Sequence, residues 1–578
     1  MLPGYHGSYL HIDVSTGRAE KVPLSEALLR QYIGGSGLGT RLLLDTGSAT
    51  VDALSPDAPL IFAFSPLVGT PLTTSAKFAV VSRSPLTERI NDSLAGSGFA
   101  LAGKRCGCDA IVIVGRAERL SLLVIDDGDV QLRPAAQWRG VSSTETEDEV
   151  RAMLGAEYRI ASIGPAGERL VRYATISHNR RHAGRGGSGA VLGSKNIKAI
   201  AVRGSRHCKW AHPTNLVALS RDVSQRSFGP ATAKYRELGT AANLLTLNRF
   251  GALPTRNFQS GTFDGAERLS PEELGARYPR VRASCTACTI GCEHLYEVEN
   301  NDVRLEYESL FALGSLCGVG TGGDVLRASR RCDEVGIDTI SAGGTIAFAM
   351  ECVERGLLDA DWLTFGSGDA VLEAIDLIGR REGIGDLLAE GSRRAAMAIG
   401  RGSIAFAPQV KGLEIPGYEP RALQTMALGF AVGARGADHN RSGAYEVDLS
   451  DKVDRRRATL DSVRFAIETE DRAALMDSLI LCKFLRGVFS DFYGEAAEML
   501  RLVTGWDVTA DELRDTARRI VAAKREVNVA AGWTLEEDTL PERFFSAPLP
   551  NDAAAVLTRE HLQQLVAEYH RQRGWTAD

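Results

Sequence analysis

The N-terminal part of the chain alternates between short apolar runs and turn residues, which is the pattern of β-strands. Residues 110–114 form a continuous apolar run bounded by turn residues, as expected for a buried strand. The apolar residues 122–125 and the Val-Gln-Leu segment of residues 130–132 flank a turn of sequence Asp-Asp-Gly, which predicts a hairpin. The pattern over residues 7–204 therefore predicts a β-rich region with short helices.

Helical spacing of apolar residues dominates from residue 215 to residue 407. The helical pattern of residues 328–335 stops at Gly336, and glycine at this position is typical of a helix end in the left-handed conformation. Asp338 is expected to cap the next helix, which runs to Arg355.

Composition changes at residues 210–213 and at the Pro-Gly-Tyr-Glu-Pro run of residues 416–420, which suggests two domain boundaries. We therefore predict an α+β chain. Its β-rich domain, residues 1–208, is followed by two mainly α-helical domains, residues 209–415 and residues 416–578.

Composition and charge narrow the class of protein. The 578 residues are 44% hydrophobic and 24% charged, as in soluble globular proteins. The net charge of -6 argues against a nucleic-acid-binding protein, which normally carries a basic surface. No signal peptide is visible, and the longest apolar runs are too short to cross a membrane. Ten cysteines without a secretion signal predict a reducing compartment, so we expect a cytoplasmic protein.

Three cysteines near the middle of the chain, Cys285, Cys288 and Cys292, have the spacing C-x2-C-x3-C. Thiolates this close suit a metal ion or an iron–sulfur cluster, and an odd number of them cannot all pair as disulfides. The order is the reverse of the radical SAM spacing, C-x3-C-x2-C. A fourth ligand must then come from elsewhere in the chain, and three incidental thiols are the alternative.

Two glycine-rich stretches mark places where the backbone approaches a ligand or another segment closely. Residues 34–39 do not fit a dinucleotide-binding fingerprint, because the segment before them has helical periodicity where the fingerprint needs a strand. We expect a glycine-rich turn between two helices there, near a cofactor.

The second glycine-rich stretch, residues 180–198, combines exposed backbone N–H groups with five cations, which together would hold phosphate oxygens. It is not a P-loop, since Lys195 follows Gly-Ser and does not precede Ser or Thr. A basic surface loop is the alternative.

Several motifs in a fixed order resemble the tungsten-containing aldehyde:ferredoxin oxidoreductase family, over essentially the whole chain. They are Ile-Gly-Pro-Ala-Gly-Glu at residues 163–168, the glycine-rich run at 185–200, residues 253–261, Glu-Tyr-Glu-Ser at 306–309, residues 332–343, and Asp-Thr-Leu-Pro at 538–541. The resemblance implies that the β-rich domain binds pterin.

The resemblance also implies a mononuclear tungsten held by the dithiolenes of two pterins, with molybdenum as the alternative metal. A Mg2+ ion bridging the pterin phosphates would lie near the Ala183 carbonyl. The family's two D-x-x-G-L-(C/D) pterin motifs correspond to residues 333–338 and 477–482. The second has Ile480 in the glycine position, so we expect its loop to be placed differently. The implied cofactor-binding residues are Lys77, Arg181, Ala183, Gly184, Arg185, Gly186, Asp333, Ile337, Asp338, Asp477 and Leu481. Lys77 replaces an arginine of the family, which keeps the charge but loses the bidentate fork.

A [4Fe–4S] cluster is implied as well. Its ligands would be Cys285, Cys288, Cys292 and, as the fourth thiolate, Cys482. The competing candidates for the fourth position are Cys317, Cys332 and Cys352.

The reaction implied by the resemblance is oxidation of an aldehyde to a carboxylic acid, with electrons passing through the cluster to ferredoxin or to an iron–sulfur partner subunit. Glu308 corresponds to a general base and His439 to a hydrogen-bond donor to the substrate carbonyl, and the reverse assignment stays open. Judged on sequence context alone, Glu308 would be a surface residue of a helix and His439 a loop residue.

Two other functions stay open. Cys317 resembles the metal-binding cysteine of the family's benzoyl-CoA reductase branch, which suggests a catalytic subunit of a larger complex that reduces an aromatic acyl-CoA. A non-enzymatic electron-transfer subunit is the other hypothesis. Arg327 replaces a glutamate that binds an interface metal in the founding members, so a homodimer through that metal is doubtful, while a homodimer of another kind stays open.

Overall fold

The computed structural model describes residues 2–575, and its N-terminal part contains two six-stranded sheets. The first sheet has the order β2-β1-β6-β3-β4-β5 and the second β11-β10-β9-β12-β7-β8. The strands are β1 (Ser8–Asp13), β2 (Arg18–Pro23), β3 (Leu60–Ala63), β4 (Lys77–Arg83), β5 (Ile90–Gly96), β6 (Ala110–Val114), β7 (Ser121–Asp126), β8 (Asp129–Pro134), β9 (Arg159–Ser162), β10 (Ile176–His178), β11 (Arg181–Ala183) and β12 (Ile197–Arg203). The helices of this part are α1 (Glu26–Tyr32), α2 (Gly35–Asp45), α3 (Gly98–Arg105), α4 (Ser143–Leu154), α5 (Pro165–Glu168) and α6 (Ser188–Ser194).

The predicted β-rich region and its hairpin are confirmed. β7 and β8 pair in antiparallel register through Asp127 and Gly128, whose φ angles are 49° and 95°. Both central residues of such a two-residue turn need positive φ, which Asp and Gly tolerate. One apolar core joins the two sheets and includes Phe62, Phe78 and Phe99.

The middle of the chain is mainly helical, as predicted, but it also contains a small sheet that was not predicted from the sequence. The helices are α7 (Pro213–Ser227), α8 (Ala233–Leu238), α9 (Asn243–Arg249), α10 (Pro271–Arg277), α11 (Tyr307–Leu313), α12 (Gly322–Val335), α13 (Thr339–Glu354), α14 (Gly368–Arg380), α15 (Ile384–Leu388) and α16 (Ser392–Ile399). The strands are β13 (Arg280–Ala283), β14 (Glu293–Val298), β15 (Asn301–Arg304), β16 (Gln409–Val410) and β17 (Leu413–Glu414). The cysteine run lies between β13 and β14 of the missed sheet, β13-β14-β15. The edge strand β13 is largely exposed, so it lacks the apolar run that predicts a buried strand.

The C-terminal part is also helical. Its helices are α17 (Gln424–Val432), α18 (His439–Ser442), α19 (Tyr445–Asp448), α20 (Val463–Leu479), α21 (Phe492–Thr504), α22 (Ala510–Ala530), α23 (Arg543–Ser546) and α24 (Arg559–Arg573). A single apolar core contains Phe311 of α11, Met426 of α17 and Leu565 of α24, so the middle and C-terminal helices are packed together. The boundary between them near residue 416 stays a prediction.

Local signals in the helical part are confirmed. α12 ends at Gly336, which has a φ of 84°, and the Asp338 side chain accepts a hydrogen bond from the Ser341 N–H as the N-cap of α13. No single helix within residues 2–575 is long and apolar enough to cross a membrane; the bent pair Tyr307–Cys317 and Gly322–Val335, which meet at 117°, passes the length and composition test only when taken together.

The glycines at 34–39 differ from the expected turn, because all but the first lie inside α2. They allow α2 to lie against the end of α20. The Gly37 N–H donates to Ser478 Oγ at 3.0 Å, and a side chain at Gly35 would collide with the Asp477 carbonyl oxygen. The stretch therefore serves close helix packing behind one of the predicted pterin motifs.

Replacing Gly35 by alanine should destabilise the protein much more than the same change at Gly47. Both residues have positive φ, 43° and 63°, which costs alanine about 1–2 kcal/mol. Only Gly35 would also meet backbone atoms, whereas nothing lies within 4 Å of the added carbon at Gly47. Equal losses of melting temperature for the two variants would contradict the packing role of Gly35.

Candidate active site

One cavity of about 380 Å³ lies between the β-rich part and both helical parts. Fourteen of the residues singled out in the sequence line it: Lys77, Arg181, Gly184, Arg185, Cys285, Cys292, Glu308, Asp333, Ile337, Asp338, His439, Asp477, Leu481 and Cys482. Of the seventeen predicted catalytic, cofactor-binding and cluster-binding residues, the other three, Ala183, Gly186 and Cys288, lie outside its lining. The cavity therefore brings together residues that are up to 405 positions apart in the chain, from Lys77 to Cys482.

Two equivalent helix ends form opposite parts of the cavity wall. α12 ends with Gly336 in the left-handed conformation, and the Gly336 and Ile337 N–H groups both donate to the Cys332 carbonyl. α20 ends in the same way at residues 480 and 481, whose N–H groups both donate to the Met476 carbonyl. Asp333 and Asp477 thus occupy the same position in two matching frames.

The second frame keeps the local backbone conformation of the first despite its unusual residue. Ile480 has φ 66° and ψ 28°, close to the 84° and 49° of Gly336. A different placement of this loop over its pterin stays a prediction. A β-branched residue is strained in this conformation. The Ile480 side chain is fully buried in an apolar cluster with Leu38 and Val81, and this burial offsets the strain.

The cysteine run is tied to Cys482 by a residue from the N-terminal part. The Thr74 N–H donates to the Ala287 carbonyl at 2.6 Å, and the Cys482 N–H donates to Thr74 Oγ1 at 3.2 Å. Burial and then the nearby Cys482 thiolate raise the pKa of Cys288 to about 11. The fourth thiol therefore lies beside the other three, although it is about 190 residues away in sequence.

The four thiols do not converge on a single point. Within residues 2–575 no three Cys, His, Asp or Glu side chains are close enough to share one metal ion. A mononuclear zinc site needs its donors about 2.0–2.3 Å from the ion, whereas an iron–sulfur cluster binds each thiolate through a different iron and keeps the sulfurs further apart. The arrangement fits a cluster better than a single ion.

The other candidate cysteines lie elsewhere. Cys317, Cys332 and Cys352 are fully buried in the helical core, and none of them lines the cavity. Cys317 Sγ lies 3.3 Å from the Ala312 carbonyl oxygen and 3.6 Å from that of Gly343. Its thiol therefore belongs to the packed interior, where a free cysteine behaves as a small hydrophobic side chain.

The cation-rich loop contributes less charge to the cavity than the sequence suggested. Lys195 and Lys198 are buried and donate to the Ala58 carbonyl and to Glu168, away from the cavity. Arg180 is exposed on the outer surface. The expectation of five cations around a phosphate is therefore wrong. Burial of the two lysines could not be read from residue types, because it depends on how α6 and β12 are packed.

Of the loop's cations, Arg181 and Arg185 remain at the cavity. Arg185 donates to the Ala437 carbonyl at 2.6 Å and also to the Glu414 carbonyl, so most of its guanidinium is already bound. Arg181 is paired with Glu293. These two arginines position the cavity wall as well as giving it positive charge.

A buried charge network missed from the sequence lies behind the cavity. Asp92 of β5 is fully buried and accepts from Lys524 Nζ of α22 at 2.7 Å and from Ser36 Oγ of α2 at 2.6 Å. Arg441 lies 3.1 Å from Asp92 and, through another nitrogen, 3.3 Å from Asp477 Oδ2. Although burial opposes it, these cations hold the pKa of Asp92 far below its usual value. The network fixes Asp477, and its members share no local motif that would have revealed them.

Glu308, which is half-buried, and His439, which is buried, form a pair at the cavity. His439 Nε2 lies 3.4 Å from Glu308 Oε1, and Glu308 Oε2 accepts from the Gly417 N–H at 3.1 Å. The Tyr418 ring lies 5.2 Å from the imidazole, centroid to centroid, and separates this side of the pair from water. Glu308 is thus no surface residue, and His439 begins a short helix, α18, capped by Asp438.

Burial sets the protonation states of this pair. It raises the pKa of Glu308 to about 8, although the Gly417 N–H opposes the shift, and lowers the pKa of His439 to about 3. At neutral pH the carboxyl therefore carries a proton and the imidazole is uncharged. Two titratable groups with pKa values moved in opposite directions are typical of acid–base sites.

Several polar atoms at the cavity make no hydrogen bond to any residue in the range 2–575. They are Glu308 Oε1, His439 Nδ1 and Arg185 Nε. A buried polar atom without a partner costs free energy, so such a set marks a place built for a polar ligand. Acceptors and donors of this kind fit a pterin, which presents N–H groups and phosphate oxygens.

Clustered thiols next to a buried acid–imidazole pair define the class of protein as a redox enzyme. The family model for the aldehyde ferredoxin oxidoreductase N-terminal domain matches residues 9–204, and the model for domains 2 and 3 of the same family matches residues 220–578. The chain belongs to the aldehyde ferredoxin oxidoreductase family and is an oxidoreductase.

Full-length relatives agree with this assignment. The chain is 37% identical over 592 residues to the tungsten-containing aldehyde ferredoxin oxidoreductase of Pyrococcus furiosus, covering 100% of this chain and 97% of the relative. It is 35% identical to the protein of the same name from Pyrococcus horikoshii, again over 100% of this chain and 97% of the relative.

A solved structure shares the fold. The active-site complex BamBC of benzoyl coenzyme A reductase, in complex with 1,5-dienoyl-CoA, matches with a TM-score of 0.85 at 23% identity, covering 100% of this chain and 95% of that one. At this level of identity the likeness shows the architecture alone.

Replacing Asp92 by asparagine should lower the free energy of unfolding by about 3–5 kcal/mol, because it leaves Lys524 and Arg441 buried without their carboxylate. The exposed pair of Asp45 and Arg41 supplies the control, and Asp45→Asn should cost less than about 1 kcal/mol. Calorimetric melting of both variants tests this. Similar losses would show that the buried network does not hold the parts of the chain together.

Proposed function

We propose that the protein oxidises an aldehyde to a carboxylic acid at a tungsten bis-pterin centre and passes the electrons through a [4Fe–4S] cluster to ferredoxin. The observation that carries the proposal is the meeting of Glu308, His439 and three of the four predicted cluster cysteines at one cavity. The full-length identity to tungsten-containing aldehyde ferredoxin oxidoreductases supports it.

The balance of the reaction sets the tasks of the chain. An aldehyde and one water give a carboxylic acid, two protons and two electrons. When bound, the tungsten centre supplies a two-electron acceptor and the cluster a one-electron relay. The side chains must therefore position the aldehyde, accept the protons and keep other water out.

Glu308 is the proposed general base and His439 the proposed hydrogen-bond donor. Glu308 Oε1 has no hydrogen-bond partner in the described structure and is free to take a proton from the attacking water. His439 Nδ1 is equally free and can donate to the aldehyde oxygen while Nε2 faces Glu308. The reverse assignment is less suitable, because burial disfavours the charged imidazole that a base would become.

The two matching helix ends are the proposed pterin contacts. Asp333, Ile337 and Asp338 would hold one pterin, and Asp477 and Leu481 the other, since carboxylates accept strong hydrogen bonds from pterin N–H groups. Lys77 would lie between the second pterin and the cluster. Gly184 leaves room at this wall, because the nearest atom to an added carbon there is Asp338 Oδ1 at 3.5 Å. Tungsten and molybdenum would be held alike, since the pterin dithiolenes bind either metal.

The glycine-rich loop of residues 180–198 is the proposed binding site for the pterin phosphates. Arg181 and Arg185 supply its charge, Gly186 has a φ of 84° that suits glycine, and the Ala183 carbonyl is the proposed Mg2+ ligand. Asn91 Oδ1 is buried beside Gly186 and makes no hydrogen bond in the described structure. An amide oxygen suits Mg2+, so we add Asn91 as a second candidate ligand.

The position of Cys317 weighs against the acyl-CoA reductase alternative. That alternative expects a thiolate at the metal, and Cys317 lies in the helical core outside the cavity lining.

All ten cysteines are free, which agrees with the proposed cytoplasmic location.

Replacing Cys482 by alanine should remove the iron–sulfur cluster. The protein as purified should contain about four irons per chain, and the variant should lose most of them together with the visible absorption of the cluster. Cys352→Ala is the matched control, because Cys352 is buried outside the cavity and should leave iron unchanged. Full iron content in the Cys482 variant would rule out the proposed ligand set.

Replacing Glu308 by glutamine should reduce aldehyde turnover about 100-fold or more and leave tungsten and iron in place. The pKa of Glu308 is raised to about 8, and only the deprotonated form is a base. For the unsubstituted enzyme kcat/KM should therefore rise with pH and level off above about 8, and this dependence should be absent from the residual activity of the variant. His439 stays neutral throughout this range. A profile that falls as the pH rises towards 8 would favour Glu308 as the acid.

A further inference from the structure

A surface groove of about 610 Å³ lies next to the cysteine run, on the outer side of the β-rich part. Arg105, Arg151, Arg159 and Arg203 line it, and we call it the arginine groove. Thr286, which lies between Cys285 and Cys288 in sequence, forms part of the same lining. The groove thus joins a positively charged surface to the loop that carries three of the proposed cluster ligands.

The charge of the arginine groove is only partly neutralised. Arg203 is paired with Asp126, and Arg151 with Glu147 and Asp148. Glu157, the one acidic residue among the described residues of the lining, lies 3.8 Å from Arg203. Arg159 instead donates to backbone carbonyls, those of Ala156 and Tyr158.

Two further arginines lie close to groove residues in sequence. Arg105 makes no ion pair within residues 2–575, and neither do the exposed Arg180 and Arg282. Arg180 follows the groove residue Asn179, and Arg282 lies two positions before Ser284. The chain as a whole has a net charge of -6, so this concentration of positive charge runs against its average.

The thiol-bearing loop is exposed at this place. Ser284, Thr286 and Ala287 are exposed, while the cysteines between and beside them are half-buried. An electron must leave a buried cluster where the covering protein is thin, and a partner that docks on the arginine groove would contact this loop directly. The position of the groove therefore suits electron exit.

We propose that the arginine groove is the docking surface for a small acidic electron-carrier protein that receives the electrons of the reaction one at a time. The inference rests on the proposed function and adds to it the place and the chemistry of the partner. Each docking event moves one electron from the reduced cluster to one oxidised carrier, so two carriers are reduced for each aldehyde oxidised.

The lining of the groove favours a diffusing carrier over a fixed subunit. Its side chains are mainly charged or polar, with Leu101 and Ala102 as the apolar ones. Permanent subunit interfaces are larger and more apolar, whereas opposite charges mainly accelerate the encounter of transient partners. Binding should accordingly weaken as the ionic strength rises and the charges are screened.

The test compares charge variants of the holoenzyme with a purified acidic [4Fe–4S] ferredoxin as the probe. At low ionic strength the double variant Arg105→Glu and Arg180→Glu should raise both the KM for ferredoxin and the Kd measured by calorimetric titration by about tenfold. The double variant Arg105→Lys and Arg180→Lys keeps the charge and should stay near the unsubstituted values. Aldehyde turnover with benzyl viologen, a small cationic acceptor that needs no docking surface, should not fall in either variant.

A second arginine-lined groove provides the control. Arg249 lies in a surface groove of about 360 Å³ that contains no residue of the cysteine run. Arg249→Glu combined with the exposed Arg457→Glu changes the net charge equally and should leave the ferredoxin KM and Kd unaltered.

Three outcomes would overturn the docking surface: unchanged KM and Kd in the glutamate variant of the arginine groove, an equal loss in the control variant, or an iron–sulfur subunit that stays bound in equal amount at high salt. Failure of the proposed function looks different. It would appear as absent aldehyde turnover with benzyl viologen in the unsubstituted enzyme, and the Kd comparison would still decide on the groove.

Discussion

The buried carboxylate of Asp92 is the interaction on which the site depends. It lies on β5 of the first sheet and pairs with Arg441 of α18 and Lys524 of α22. One carboxylate therefore links the N-terminal sheet to the C-terminal helices. Such a pair is strong only when both partners are held in place, because either charge alone would be costly in the interior. Arg441 extends the network to Asp477, and through it the geometry of the sheet determines the position of one wall of the cavity.

The cavity contains two groups of residues that suit different kinds of chemistry. At one end, burial keeps Glu308 protonated and His439 neutral near pH 7, which suits the handling of protons. Three cysteines, Cys285, Cys292 and Cys482, line the same cavity together with Lys77, and the loop of the first two is exposed, which suits the removal of electrons. Thr74 contacts the cysteine run and Cys482 together, so the placement of these thiols depends on the N-terminal part of the chain.

Local features of the fold were readable from the sequence because short-range chemistry decides them. Gly336 ends α12 since glycine adopts a left-handed conformation without strain, and Asp338 caps α13 since its carboxylate reaches an N–H three residues ahead. Ile480 shows the limit of this reasoning. It adopts a glycine-like conformation that its residue type disfavours, and its side chain is buried among residues from distant segments, which no local pattern reveals.

The sequence by itself determined the class of architecture, the two helix-end motifs, the three-cysteine run and, through resemblance, the residues around the cavity. Tertiary structure decided which charges reach that cavity. Lys195 and Lys198 looked like phosphate ligands and are buried elsewhere, while Asp92 and Arg441 looked unremarkable and hold the wall in place. The physical reason is that burial and ion pairing depend on contacts between segments hundreds of residues apart, which no local pattern records.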